Sequence, residues 1–196
     1  MPDHPHLSHG DHPGATILPF NGKTPVIHPS AFIAPGCRII GDVEIGADAS
    51  IWYNCVIRAD VNFIRIGART NIQDGSVVHC DSPSPGSPAD GWPTIIGDDV
   101  LIGHMAMIHG CVLKDRAFVG LGAIVMSGCT VESDAMLAAG ALLSPGKTVP
   151  HRQLWAGRPA KPVRDLTDES LIGMREGVDH YVHNAKAHKG AVKADG

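Results

Sequence analysis

From Ile27 onward the sequence repeats every six residues, and that period limits what the chain can fold into more than any other feature. Aliphatic residues recur at Ile27, Ile33, Ile39, Ile45, Ile51 and Ile57, then after a slip of three at Ile66, Ile72 and Val78. The period resumes at Ile96, Ile102 and Ile108, slips by one, and continues through Leu113, Val119, Val125, Val131 and Leu137 to Leu143. Four places after these aliphatics the residue is small or Val, as at Cys37, Ala49, Cys55, Ser76, Ala106, Ala123 and Cys129. One place after them Gly is frequent, as at Gly46, Gly67, Gly97, Gly103 and Gly120.

Alternation within such short segments turns one aliphatic inward per six residues, and the small position and the glycines admit a sharp bend before the next segment. Three segments close one triangular coil. Stacked coils bury a continuous aliphatic column and hydrogen-bond to one another, as in the hexapeptide β-helices. A sandwich would need longer strands and hairpin turns such as Asn-Gly, and the repeat supplies neither. The expected fold is all-β, a parallel β-helix over residues 16–150; spacing alone does not fix its hand.

The flanks read differently. Residues 1–15 hold His4, His6, His9 and His12 among Pro, Gly and Asp, too little apolar surface to fold alone, so a disordered His-rich tail is expected, with a metal-capturing role left open. Residues 151–196 read as a linker, a C-terminal helix and a tail. Thr167 can cap that helix, Asp168 and Glu169 suit its first turn, and Leu171, Met174, Val178, Tyr181, Val182 and Ala185 fall at helical spacing. Beyond His188 fraying is expected. One insertion, Asp81 to Pro93, interrupts the repeat just after His79 with Ser-Pro, Pro-Gly and Asp-Gly steps; it is either a solvated turn or a lid or interface element.

Composition narrows the function. Aromatics make up 5% of the 196 residues against 23 Gly and 15 Pro, which fits an aliphatic core with many turns. A net charge of -4 without basic runs argues against a nucleic-acid partner. No apolar stretch reaches the roughly 18 residues of a membrane span, and the N-terminus lacks the marks of a signal peptide, so a cytoplasmic protein is expected. Five cysteines without a CxxC argue against a disulfide framework or a cysteine zinc knuckle; Cys37, Cys55, Cys111 and Cys129 read as small apolar packing residues.

Chemistry concentrates in three histidines, His79, His104 and His109, around the only long insertion. Three neutral imidazoles with an open fourth position make a catalytic zinc site. His79 and His109 each follow an inward aliphatic, so alternation turns both away from the core. His104 occupies a different place in the hexapeptide, which leaves open that it faces elsewhere and that the triad closes across a subunit boundary. Cys80, beside His79, is an alternative fourth ligand, but an open position suits the chemistry better.

The segments Arg58-Ala-Asp60, Asn71-Ile-Gln73-Asp74-Gly75, Val78-His79, Ile102-Gly-His104 and Ile108-His109-Gly110-Cys111 resemble the signature of gamma-class carbonic anhydrases and their hexapeptide-repeat relatives. The resemblance covers roughly residues 20 to 190, including Gly157-Arg-Pro159-Ala160-Lys161 and the terminal helix. It implies a left-handed β-helix homotrimer with metal sites at subunit interfaces, His79 and His109 coming from one subunit and His104 from its neighbour. The metal implied is Zn2+, with Fe2+ or Co2+ as in some members. Arg58 would pair with Asp60 and Asp74 across the interface, Gln73 would orient the metal-bound water, Asn71 would support the substrate pocket, and Tyr181 would approach it from the terminal helix. The implied reaction is reversible hydration of carbon dioxide to bicarbonate by a metal-bound hydroxide. Val61 and Asp81 stand where the best-known members offer glutamates as proton shuttles, which implies slow hydration. The alternatives are an acyl-coenzyme A thioesterase or acyltransferase of the same fold, and a non-catalytic assembly scaffold. Arg58 with Asp60 also reads as a plain interface ion pair, and Gln73 and Asn71 as residues satisfying backbone groups at coil corners.

Overall fold

The computed structural model of the chain describes residues 12–194, and within them the six-residue period winds into a left-handed β-helix of parallel strands. Three aliphatic ladders run its length. On the first face Ile39, Ile57, Val78, Ile108, Val125 and Leu143 stack in register. On the second face the ladder is Ile27, Ile45, Ile66, Ile96, Leu113, Val131 and Val149. On the third it is Ile33, Ile51, Ile72, Ile102, Val119 and Leu137, ending on Trp155. Nearly all of these side chains are sealed from solvent, each aliphatic contributing about 1.5–3 kcal/mol of transfer free energy. The small positions are buried at the corners: Cys37, Cys55, Ala106, Ala123 and Cys129 are all inaccessible or nearly so. Each cysteine is a free thiol.

The flanks depart from expectation in three places, two of them in the tail and linker. Of the proposed tail, residues 1–11 lie outside the described residues, while 12–15 form a turn closed by Ala15 N–H donating to His12 O. The expected linker is instead an antiparallel hairpin, Gln153–Gly157 with Ala160–Asp165, whose first strand adds to the third face through Leu154 and Trp155. It extends the third sheet past Leu137 and becomes its last edge.

The terminal helix spans Asp168–Ala194, with Thr167 Oγ1 accepting from Ser170 N–H at its start. It runs back along the third face. Leu171 and Met174 pack near Phe118, Met136 and Leu154, and Val178 and Val182 pack on Leu101. Further along, Tyr181 meets Trp52 edge-on at 5.4 Å. The helix does not fray at His188: that ring bonds Tyr53 Oη at 2.8 Å, and Lys189 Nζ donates to the carbonyls of Pro29 and Ala31, both at 2.8 Å. No helix among the described residues is long and apolar enough to cross a membrane.

The corner between the second and third faces carries alternating charge. Asp48, Arg69, Asp99, Arg116, Asp134 and Arg152 occupy the same left-handed corner position (φ 54–62°) in successive coils. Left-handed backbone costs a non-glycine residue roughly 1–2 kcal/mol, and ion pairs tie several of these residues to the next coil or to the helix. Arg69 reaches Asp99 at 2.7 Å and Asp179 of the helix at 2.5 Å; Arg116 grips Asp134 through two bonds of 2.9 Å. The Arg116 guanidinium holds the Asp134 carboxyl below the usual range despite its burial. A depressed carboxylate stabilises the fold above its unfolded pKa of about 3.9, and the contribution is lost as pH falls through the folded value. Asp134→Asn is therefore expected to lower the thermal midpoint near neutral pH, and the difference from the parent should shrink as the pH is taken below the unfolded carboxylate value; calorimetry across that acid range checks this.

Candidate metal centre

Three departures from the six-residue period fall at one corner of the coil. Between the inward residues of the first and second faces the chain takes nine residues from Ile57 to Ile66, eighteen from Val78 to Ile96 and five from Ile108 to Leu113, instead of six. Arg58, His79 and His109 each follow the inward aliphatic at this corner and project outward in one row, Arg58 opposite His79 and His79 opposite His109. The extra residues after Ile57 bring Asp60 over the row.

The two rings face each other. His79 Nδ1 lies 3.1 Å from His109 Nε2, and their centroids are 5.1 Å apart. The far nitrogens are both engaged: His79 Nε2 bonds Asp60 Oδ1 at 2.9 Å, and His109 Nδ1 meets Ser127 Oγ at 2.9 Å. Burial alone would raise the Asp60 carboxyl, but hydrogen bonds from His79 and Arg58 outweigh it and hold the group below its usual range. A carboxylate only accepts, so the neutral His79 carries its proton on Nε2 and presents a lone pair at Nδ1. Burial, together with repulsion from His79, holds the His109 imidazole below its usual pKa and favours the neutral ring. Two such nitrogens 3.1 Å apart call for a proton or a cation between them. Carboxylate and hydroxyl partners behind ligating histidines are the usual support of a metal site, so the donor set fits a divalent ion.

His104 stands elsewhere. It sits at the corner between the third and first faces, with Nδ1 2.7 Å from Asp74 Oδ2 and the side chain 40% exposed. Among the described residues of one chain, no three His, Cys, Asp or Glu side chains converge to hold an ion. Beside His104, Gln73 Nε2 donates to Asn71 Oδ1 at 3.1 Å, and the buried Asn71 Nδ2 has no hydrogen-bond partner among the described residues. Tyr181 lies half-buried on the helix, its hydroxyl pKa raised by burial and then by the Asp74 charge. The predicted residues thus fall into two groups: Arg58, Asp60, His79 and His109 at one corner, and Asn71, Gln73, Asp74, His104 and Tyr181 around another. Arg58 reaches Asp60 within its own chain, and Asp74 is taken by His104. Cys80 is buried against the Arg58 carbonyl at 3.9 Å, and burial pushes its thiol pKa up, which disfavours the thiolate a metal needs.

Sequence reasoning passed over Ser127 and Thr94. Ser127 follows Met126 in an ordinary coil, and only its stacking above His109 gives it a role. Thr94 Oγ1 donates to the His79 carbonyl and accepts from Gly110 N–H at 3.0 Å.

Known proteins resemble the chain in sequence and in fold. Residues 24–59 match the bacterial transferase hexapeptide (six repeats) family. The chain is 43% identical over 173 residues to gamma carbonic anhydrase 2, mitochondrial, of Arabidopsis thaliana, covering 88% of this chain and 62% of that one. It thus spans less than two thirds of that relative. It is 54% identical over 150 residues to a probable carbonic anhydrase of Methanocaldococcus jannaschii, covering 76% of this chain and 89% of the relative. Among solved structures, a putative acetyltransferase of Bacillus cereus superposes with a TM-score of 0.85 at 40% identity over 91% of this chain and 99% of that one.

The supporting bonds give a direct expectation. Asp60→Asn and Ser127→Ala should each weaken Zn2+ binding about 10- to 100-fold, measured by competition with a chromophoric chelator, without changing the fold by circular dichroism.

Proposed function

The chain belongs to the gamma-class carbonic anhydrase family of hexapeptide-repeat proteins, and on that premise we propose that it hydrates carbon dioxide reversibly to bicarbonate at metal sites shared between adjacent copies of the chain. The carbonic anhydrase relatives imply a metal cofactor. The observation that carries the reading is the division of the donors: His79 and His109 face each other at one corner while His104 stands at another. A second copy that brings its His104 to the paired rings completes three imidazoles, the donor set of a catalytic zinc site. Zinc is the metal proposed, with iron or cobalt as substitutes.

A surface suited to such packing lies between the two corners. The outward row of the first face is Val56, Val77, Met107, Ile124 and Leu142, apolar in five successive coils where a solvated face alternates with polar residues. Met105, 70% exposed, and Leu121, 53% exposed, extend it beside His104. A patch of this kind supports association, and three copies about an axis would close it.

Bound at the shared site, the ion would supply the Lewis acidity that makes water a nucleophile near neutral pH. The chain's own residues do the rest. Neutral His79 and His109 leave the ion its full charge, and Asp60 and Ser127 fix their rings. Gln73, its amide held by Asn71, would orient the attacking water, and Asn71 has a donor to spare for the pocket. Arg58 balances Asp60 and would pair with the neighbour's acidic corner. Asp81, whose charge partly opposes the lowering of the His109 pKa, is the local acid that would accept the exported proton.

A second reading has one observation behind it, the likeness to a transferase family and to a putative acetyltransferase. It predicts saturable turnover of acetyl-coenzyme A without carbon dioxide hydration.

The shared-site reading is tested by complementation. His104→Ala and His79→Ala should each keep the oligomer but lose most metal and hydratase activity. Dissociated and reassembled together, the two should regain activity at about a quarter of the interfaces, since each restored site draws its intact half from a different variant. No recovery on mixing would place all three ligands in one chain.

A further inference from the structure

The insertion between His79 and Thr94 returns to the coil through Trp92, Pro93 and Thr94, and both ends of it are tied down. Asp81 and Trp92 bond each other's backbones, Asp81 N–H to Trp92 O at 2.8 Å and Trp92 N–H to Asp81 O at 3.0 Å. Asn62 Nδ2 donates to the Asp81 carbonyl at 2.9 Å and the Asp90 carbonyl at 2.7 Å. Asn62 itself belongs to the extra residues of the preceding coil, so one irregularity fastens the other.

The Trp92 side chain then covers two glycines. A methyl group at Gly110 would sit 2.8 Å from Trp92 Cβ and 3.0 Å from Ser127 Oγ; one at Gly128 would sit 2.9 Å from the indole ring. Both glycines have left-handed backbone, φ 53° and 74°, so only a residue without Cβ meets both demands. Gly110 follows His109, and Gly128 follows Ser127, the partner of His109 Nδ1. The indole therefore presses together the two corners that set the 2.9 Å bond between them.

Thr94 acts on the other ligand. Its buried hydroxyl donates to the His79 carbonyl and accepts the Gly110 N–H, which His79 O also accepts at 3.1 Å. One oxygen thus links the backbone of His79 to the residue after His109 at the coil that is a residue short. We propose that Trp92 and Thr94 are positioning residues for the His79–His109 pair, so that the insertion serves as a clasp that sets the separation of the two imidazoles. The proposal rests on the assignment of those histidines as metal ligands.

The test uses Co2+ on the intact oligomer, because its visible absorption reports ligand geometry as well as occupancy. Thr94→Val removes the hydroxyl and keeps the shape; Thr94→Ser keeps the hydroxyl; Trp92→Ala acts independently through the glycines. With circular dichroism and oligomeric state unchanged, Thr94→Val and Trp92→Ala should each weaken Co2+ about tenfold or more and shift its visible bands. Thr94→Ser should restore both. Parental affinity and spectrum in Thr94→Val and Trp92→Ala, even with a lowered thermal midpoint, overturn the proposal and leave the ligand assignment standing. Parent protein whose Co2+ binding survives His79→Ala overturns the assignment and the clasp together.

Discussion

Every feature of this molecule depends on one constraint: each coil must present its backbone in register to the coil above and the coil below. The aliphatic ladders follow from that registration, because an Ile displaced by one place would point outward and leave its amide unpaired. A chain so bound has little room for variation along its faces and finds it at the corners. There a residue added or removed changes only a bend, and the strands on either side keep their partners. The two histidine-bearing corners use this freedom differently. One gathers three irregular bends into a row of charge and imidazole; the other leaves its bends regular and places His104 and Asp74 on them.

Much of this was legible in the sequence because period and burial are the same fact in a solenoid. Ile27 through Leu143 were assigned inward from spacing alone, and all lie in the core. Alternation also turned His79 and His109 outward, where their rings meet. The helix face was legible for the same reason, from Leu171 to Ala185. What spacing could not deliver was contact between residues in different coils. Ser127 has an unremarkable hexapeptide place, and its bond to His109 appears only when the coils are stacked. The hairpin after Val149 was hidden by its prolines, which read as a linker although Trp155 continues the third ladder. Trp92 was absorbed into the end of a loop, and Thr94, just past it, carried no signal of its own.

The slips themselves held more information than their lengths. Taken singly, an excess of three residues, an insertion and a deficit of one look like noise in a repeat. Mapped onto the coil they occupy one corner in consecutive turns, next to the histidines. In this chain, deviation from the period therefore gathers charged and imidazole side chains more sharply than the period does. Hexapeptide spacing is common to transferases and carbonic anhydrase relatives alike, whereas this cluster of interruptions carries Arg58, Asp60, His79 and His109.

The terminal helix has a consequence for how the molecule comes apart. A bare solenoid contacts only its neighbours along one dimension, so its ends can peel while the middle stays wound. Here the helix leaves from the last coils, beside Leu154 and Phe118, and finishes on the first, where His188 meets Tyr53 and Lys189 holds Pro29 and Ala31. It acts as a strut bolted at both ends. Loosening the first coil thereby strains the anchorage of the last, and a stack that could have unravelled turn by turn is coupled into one cooperative body.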